Sequence, residues 1–226
     1  MEYRYNKLPE LGKDNKRKHL VVLTGAGISV ESGLTTFRKS DDSLWGKYDF
    51  QKLASVGCFQ KDPEAVLEFY NMRRSRLLEV EPNHAHKLLV ELEKWYDVTV
   101  ITQNGDDFHQ RAGSSKVIHL HGEALKNAST LHPYIPIDID PENPDIKIGD
   151  KAPDGSQIRP YVIFFNENLQ YDIWKSAVQA IRDADMMIIV GCSLKVFPAA
   201  EMTKELREDA TLIVIDPADP PFPIKH

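Results

Sequence analysis

His19-Leu-Val-Val-Leu-Thr-Gly-Ala-Gly-Ile-Ser29 is the stretch on which the fold turns. Leu20 to Leu23 are consecutive apolar residues, and Gly25 follows Thr24 directly. A short apolar run ended by glycine reads as a strand buried on both faces. Glycines between such a strand and a helix start let backbone amides come close to a phosphate. As a nucleotide fingerprint the stretch is incomplete, because GxGxxG would place glycine where Val30 stands. A plain tight turn explains Gly25-Ala26-Gly27 equally well.

Working outward, further apolar runs read as strands at Val98 to Thr102, Val117 to Leu120, Tyr161 to Phe165, Met186 to Val190 and Leu212 to Ile215. Helical patterns lie between them. Asp62-Pro63 starts one that runs to about Glu79, with Asp at the cap and Pro in the first turn. Pro82-Asn83 opens another, reaching about Trp95, and Tyr171 to Asp183 and Ala199 to Arg207 give two more. Apolar strands alternating with amphipathic helices predict an α/β fold, a doubly wound, Rossmann-like parallel sheet covered on both faces. Ligands are then expected at the carboxyl ends of the strands. Glu123 to Ile158 breaks the rhythm, with five prolines, many aspartates and neither strand nor helix in its pattern. That length of loop suggests a small inserted module at about residues 123–158, packed beside the sheet and held by proline-rich packing. Residues 1–18 read as a polar arm and residues 19–226 as one domain.

The 226 residues carry a formal charge of −6, which argues against broad binding to nucleic acid or anionic lipid. Cys58 and Cys192 are the two cysteines, so a four-cysteine zinc site is impossible and reduced thiols are expected. No apolar run reaches the roughly 20 residues of a membrane span, and Met1 to Lys18 has no apolar signal core. The cytoplasm is the expected location.

Two more segments carry candidate chemistry. Ile101-Thr-Gln-Asn-Gly-Asp106 follows a strand directly, and its amides and carboxylate suit a polar ring and a ribose. The same Asn-Gly-Asp would also serve simply as a turn. His119-Leu-His-Gly122 offers a base near neutral pH. If a strand ran through it, His119 and His121 would share a face, so a metal pair is conceivable alongside an ordinary structural role.

Taken together, the ordered motifs are specific. Gly25-Ala-Gly-Ile-Ser29 with Ser32-Gly33 and Phe37-Arg38 comes first, then Thr102-Gln-Asn-x-Asp106, Ala112-Gly-Ser114 and His121-Gly122. Arg159-Pro160, Val162, Phe165-x-Glu167 and Gly191-Cys-Ser-Leu-x-Val-Phe-Pro-Ala-Ala200 follow. Over Val21 to Asp216 the chain resembles the sirtuin (Sir2) family of NAD-dependent protein deacylases. The resemblance implies a large NAD-binding domain of the DHS type with a smaller module beside it. It implies a reaction that cleaves NAD at the nicotinamide–ribose bond and moves an acyl group from lysine to ADP-ribose.

Carried over residue by residue, Gly25, Ala26, Gly27, Ile28, Ser29, Phe37 and Arg38 match the NAD-binding loop. Gln103, Asn104 and Asp106 match the residues around the ribose and the nicotinamide carboxamide, and His121 the catalytic base. Asn104 and Asp106 are counted with His121 in the catalytic set. Gly191, Cys192, Ser193 and Asp216 match the adenosine end. Val162, Phe165, Asn166 and Glu167 match the edge that pairs with the substrate backbone. Tyr70 and Arg73, three apart and so on one helix face, match the pair of the bacterial branch that prefers succinyl and malonyl groups. Arginine can bind a carboxylate bidentately, with the tyrosine adding one hydrogen bond.

The chain departs from the family pattern at several places. The module lacks the four zinc cysteines many members carry, so no metal is expected. Gly105 replaces an apolar residue, Thr35-Thr36 a Pro-Asp, Asn166 a glycine and Asp216 an asparagine. Pro217 to His226 is a short proline-rich tail where the family usually continues, so either the sequence is truncated or the adenine site is incomplete. The expected partners are acyl-lysine proteins or peptides, with no nucleic acid or membrane, and the expected state is a monomer. The same scaffold could also serve an NAD glycohydrolase, an ADP-ribosyltransferase or a non-catalytic NAD sensor.

Overall fold

The computed structural model describes residues 16–34 and 53–218. Its main sheet has five parallel strands in the order β3-β2-β1-β7-β8. These are β1 (His19–Thr24), β2 (Asp97–Thr102), β3 (Val117–His119), β7 (Met186–Val190) and β8 (Thr211–Ile215). The chain starts in the middle, steps out through β2 and β3, then returns to the other side through β7 and β8. The strand ends of β1 and β7 therefore flank a topological switch point, the place where open sheets of this kind form a ligand crevice.

Alternation along β1 explains why its apolar run is continuous. Val21 and Leu23 face one side with Ile101, Met187 and Ile189, covered by Ala177 and Ile181 of α5 (Tyr171–Arg182). Leu20 and Val22 face the other side with Val98 and Val100, covered by Leu89 of α3 (His84–Leu92). Each such side chain, fully buried, is worth about 1.5–3 kcal/mol. Asn83 caps α3 by accepting from the Ala85 amide at 2.9 Å. Asp62 caps α2 (Pro63–Glu79) through the Ala65 amide at 3.2 Å, with Pro63 at the first helical position. Two short helices, α1 (Val56–Lys61) and α4 (Phe108–Ala112), complete the α-helical set among the described residues.

The inserted module is a second, antiparallel sheet in the order β5-β4-β6, formed by β4 (Gly122–Ser129), β5 (Ile137–Asp138) and β6 (Ile158–Val162). Three expectations are corrected here. The segment taken to have no strand contains β4, whose buried positions are the small residues Gly122, Ala124, Ala128 and Ser129 and so show no apolar alternation. The apolar run Tyr161 to Phe165 is not a strand of the parallel sheet. Val162 closes β6, and Phe164 is buried for another reason, packing with Phe69, Tyr70 and Phe108. The module is tied to α2 by hydrogen bonds: Arg74 and Asn71 reach the backbone of Ala124, Lys126, Pro144 and Ile146. Ala199–Glu205 and Ala26–Ser32 are 3-10 helices, tighter than the α-helix expected at the former.

Candidate active site

At the switch point three glycines interlock. The Gly27 amide donates to the Gly191 carbonyl at 2.8 Å, and the Gly25 amide donates to Val190 at 3.2 Å. A Cβ on Gly191 would sit 2.3 Å from the Ile28 nitrogen, and Gly191 has φ +55. The glycines that first suggested a phosphate turn are thus also demanded by backbone packing between the loop after β1 and the end of β7.

Beyond β2, Gln103 to Asp106 turns across this crevice. The Asn104 carboxamide donates to the Gly25 carbonyl at 3.1 Å and to the Ser29 hydroxyl at 3.2 Å. Ser29 in turn donates to Asp106 at 2.9 Å. Asn104 and Asp106 are both buried. Burial pushes the Asp106 carboxyl above its ordinary range, against the opposing pull of the Ser29 bond. The Gln103 carboxamide donates to the Cys192 sulfur at 3.2 Å, tying the loop to the segment after β7. Ser193 is exposed beside the buried Cys192, and Asp216 lies just past β8, accepting from the Ala218 amide at 2.9 Å.

His121 stands on the turn between β3 and β4, half-buried, with Nδ1 3.1 Å from the Gln103 carbonyl oxygen. A carbonyl only accepts, so Nδ1 carries the proton and Nε2 presents a lone pair. Burial lowers the His121 pKa, against the opposing pull of the Gln103 bond. The expected shared strand face with His119 is corrected: β3 ends at His119, and His121 lies beyond it. His119 spends its ring on the Asn104 carbonyl at 3.2 Å and the Gln110 carboxamide at 2.6 Å, a structural role.

α2 brings Tyr70 and Arg73 to the same region. Tyr70 is buried against Phe69 and Phe164, and burial raises its hydroxyl to about 12. Burial lowers the Arg73 pKa, and the neighbouring Tyr70 and Asp106 oppose that shift. Val162 is buried in the same apolar cluster as Tyr70. The Phe165 amide and carbonyl pair with Ala54 and Val56 at 2.7 and 3.2 Å, so this residue bridges to that segment. Asn166 adopts φ +71, the left-handed region that glycine favours and asparagine tolerates best among other residues. Glu167 commits its carboxylate to Arg159 at 2.5 and 3.0 Å and to the Phe164 amide at 2.7 Å, fixing the turn. Phe37 and Arg38 lie outside the described residues.

A model of the Sir2 family matches residues 25–198. The chain belongs to the Sir2 family. It is 48% identical over 203 residues to an NAD-dependent protein deacylase of Bacteroides thetaiotaomicron, covering 88% of this chain and 86% of that protein. A Helicobacter pylori protein of the same name is 46% identical over 200 residues, covering 88% and 85%. Among solved structures, a Sir2 homolog–NAD complex superposes with a TM-score of 0.81 at 37% identity, covering 91% of this chain and 80% of that one. Sir2Tm bound to a propionylated peptide gives 0.74 at 33% identity, covering 92% and 85%.

Within this Sir2 family member, the sequence reading missed the group that joins module to site. Arg74 was passed over, yet it lies on the same helix stripe as Leu67, Tyr70 and Leu77, all buried. An arginine on an apolar stripe was the available signal. Ala124, whose amide donates to the Gly105 carbonyl at 2.7 Å, carried no signal at all.

Proposed function

We propose that this chain is an NAD-dependent protein-lysine deacylase whose preferred acyl groups are succinyl and malonyl, with acetyl-lysine also within its range. The observation that carries the reading is the bond from His121 Nδ1 to the Gln103 carbonyl, which leaves Nε2 as the ring nitrogen that would act as base. NAD would supply a ribose carbon bearing nicotinamide as leaving group. The residues present fit that group: an interlocked glycine turn, a buried carboxamide at Asn104 and a buried carboxylate at Asp106. A fixed carboxylate in a dry site stabilises positive charge developing on the ribose. His121 would take a ribose hydroxyl proton, and the acyl-lysine oxygen itself is the nucleophile, so no catalytic Ser or Cys is required.

The acyl preference rests on Arg73 beside Tyr70, a guanidinium and a phenol on one helix face near Asp106. The family relatives named as deacylases support the reaction class, and a related complex with 2'-O-acetyl ADP ribose supports the product type. Protein substrates carrying acyl-lysine would approach the turn at Asn166, since the Phe165 backbone is already paired with Ala54 and Val56. The test is incubation with NAD and a panel of acetyl, malonyl and succinyl peptides, read by mass spectrometry. O-Acyl-ADP-ribose with free lysine supports the reading. Plain ADP-ribose with intact peptide replaces it with a glycohydrolase.

A further inference from the structure

α2 grips the small module through one buried cation. Arg74 is 0% exposed. Its Nε donates to the Ala124 carbonyl, Nη1 to the Pro144 carbonyl, and Nη2 to the Lys126 carbonyl and the Asn127 carboxamide oxygen, each at 2.7 Å. Three residues earlier, Asn71 exchanges two 2.9 Å bonds with the backbone of Ile146. Burying a guanidinium among oxygen acceptors, with Asp145 as an opposing charge, is a costly way to stabilise a core, since apolar residues of similar volume often serve as well. The geometry gives it a second task. Ala124, held at its carbonyl by Arg74, uses its own amide to hold the Gly105 carbonyl at 2.7 Å. Gly105 sits between Asn104 and Asp106, the two buried polar groups of the crevice.

We infer that Arg74 is a positioning residue for the cofactor pocket, acting through Ala124 on Gly105 to set Asn104 and Asp106. The activity side of this inference rests on the deacylase reading; the structural side does not. In this view α2 couples docking of the small module to the shape of the pocket, and a loosened module weakens NAD binding through the Ala124–Gly105 contact.

The experiment compares the full chain with Arg74→Lys, Arg74→Met and a core control, Leu89→Ala, whose side chain packs on β1 and β2 rather than on the module. Hydrogen exchange of the apoprotein is read at the amides of Ala124, Gln103 and Asn104, and NAD affinity by calorimetry at a temperature where every variant is folded. Expected for Arg74→Lys is exchange at least tenfold faster at those amides and an NAD Kd raised roughly tenfold. Leu89→Ala, though less stable, should leave the Kd unchanged. Folded Arg74→Lys with wild-type protection of Gln103 and Asn104 and a wild-type Kd overturns the proposal. If the variants fail to fold, native-state exchange of the wild type in low urea decides. The coupling predicts that Ala124, Gln103 and Asn104 open together, and opening of Ala124 without the other two refutes it. Should wild type bind no NAD, the functional reading falls, while the exchange data still judge the clasp.

Discussion

Gly27 and Gly191 touch backbone to backbone: the Gly27 amide donates to the Gly191 carbonyl at 2.8 Å, and a Cβ on Gly27 would lie 2.7 Å from that carbonyl oxygen. Two loops from opposite halves of a doubly wound sheet are thereby locked at the place where the strands part. Gly27→Ala should cost about 2 kcal/mol or more, as overpacking does. For a chain of this size that is a fall in melting temperature of about 4–8 °C. Gly57→Ala is the contrast, because nothing lies within 4 Å of a Cβ there. It should leave stability unchanged or raise it by about 0.4–1 kcal/mol. Differential scanning calorimetry on both variants checks the pair.

Arg73→Met should separate acyl groups. A hydrogen bond to a charged group is worth about 1.5–3 kcal/mol, so kcat/KM on succinyl peptide should drop roughly 10- to 150-fold. Deacetylation should change much less. Parallel steady-state kinetics on the two peptides measure the ratio, and equal losses on both would remove Arg73 from acyl recognition.

Two buried histidines make stability depend on pH. His86 and His109 lie with ring centroids 4.9 Å apart, His86 bonded to Asn83 and His109 to Thr24. Burial lowers His86 to about 4 and His109 to about 3. The fold keeps both neutral, whereas the unfolded chain takes up protons once pH falls below about 6.5. Stability is therefore lost progressively from about pH 6.5 down through those lowered values. For His86 the full loss is on the order of 3 kcal/mol, at 1.36 kcal/mol per tenfold. Asp106 and Asp107, raised by burial, act with the opposite sign. The difference between wild type and His86→Gln isolates the histidine. In urea titrations from pH 7 to pH 5 the advantage of wild type should shrink, and a constant difference would contradict the account.

The turn beside the apolar cluster hangs on an ion pair. Arg159 and Glu167 are joined bidentately with side chains only 6% and 13% exposed, and the guanidinium lies 4.0 Å from the centre of the Phe164 ring. Glu167→Gln leaves a buried cation uncompensated and should cost about 3–5 kcal/mol. Adding Arg159→Met should recover part of that loss, measured as a coupling energy by a double-mutant cycle in urea.

How far the sequence was readable follows from where each signal is stored. β1 was legible because burial on both faces leaves an unbroken apolar run, Leu20 to Leu23. The run ending at Phe165 looked the same, but Phe164 is buried by Tyr70 and Phe59, residues about a hundred positions earlier, rather than by a sheet. The chemistry of Asn104 and Asp106 could not be told from a turn on local grounds. What distinguishes them is Ser29, which bonds to both from 75 and 77 residues away. The family resemblance supplied those roles by motif order. It did not point to Arg74, because its meaning depends on carbonyls contributed by a module whose strands carried no periodic pattern.

The reading as a whole depends on His121 working as a base toward the coenzyme's ribose. The direct measurement is peptide-dependent nicotinamide release from NAD by the wild-type chain and by His121→Gln. The wild type should release nicotinamide in step with lysine deacylation, and the variant should lose about 10²- to 10⁴-fold in deacylation rate while still binding NAD. A variant as fast as the wild type, or a folded wild type that releases no nicotinamide with any acyl peptide, would contradict it.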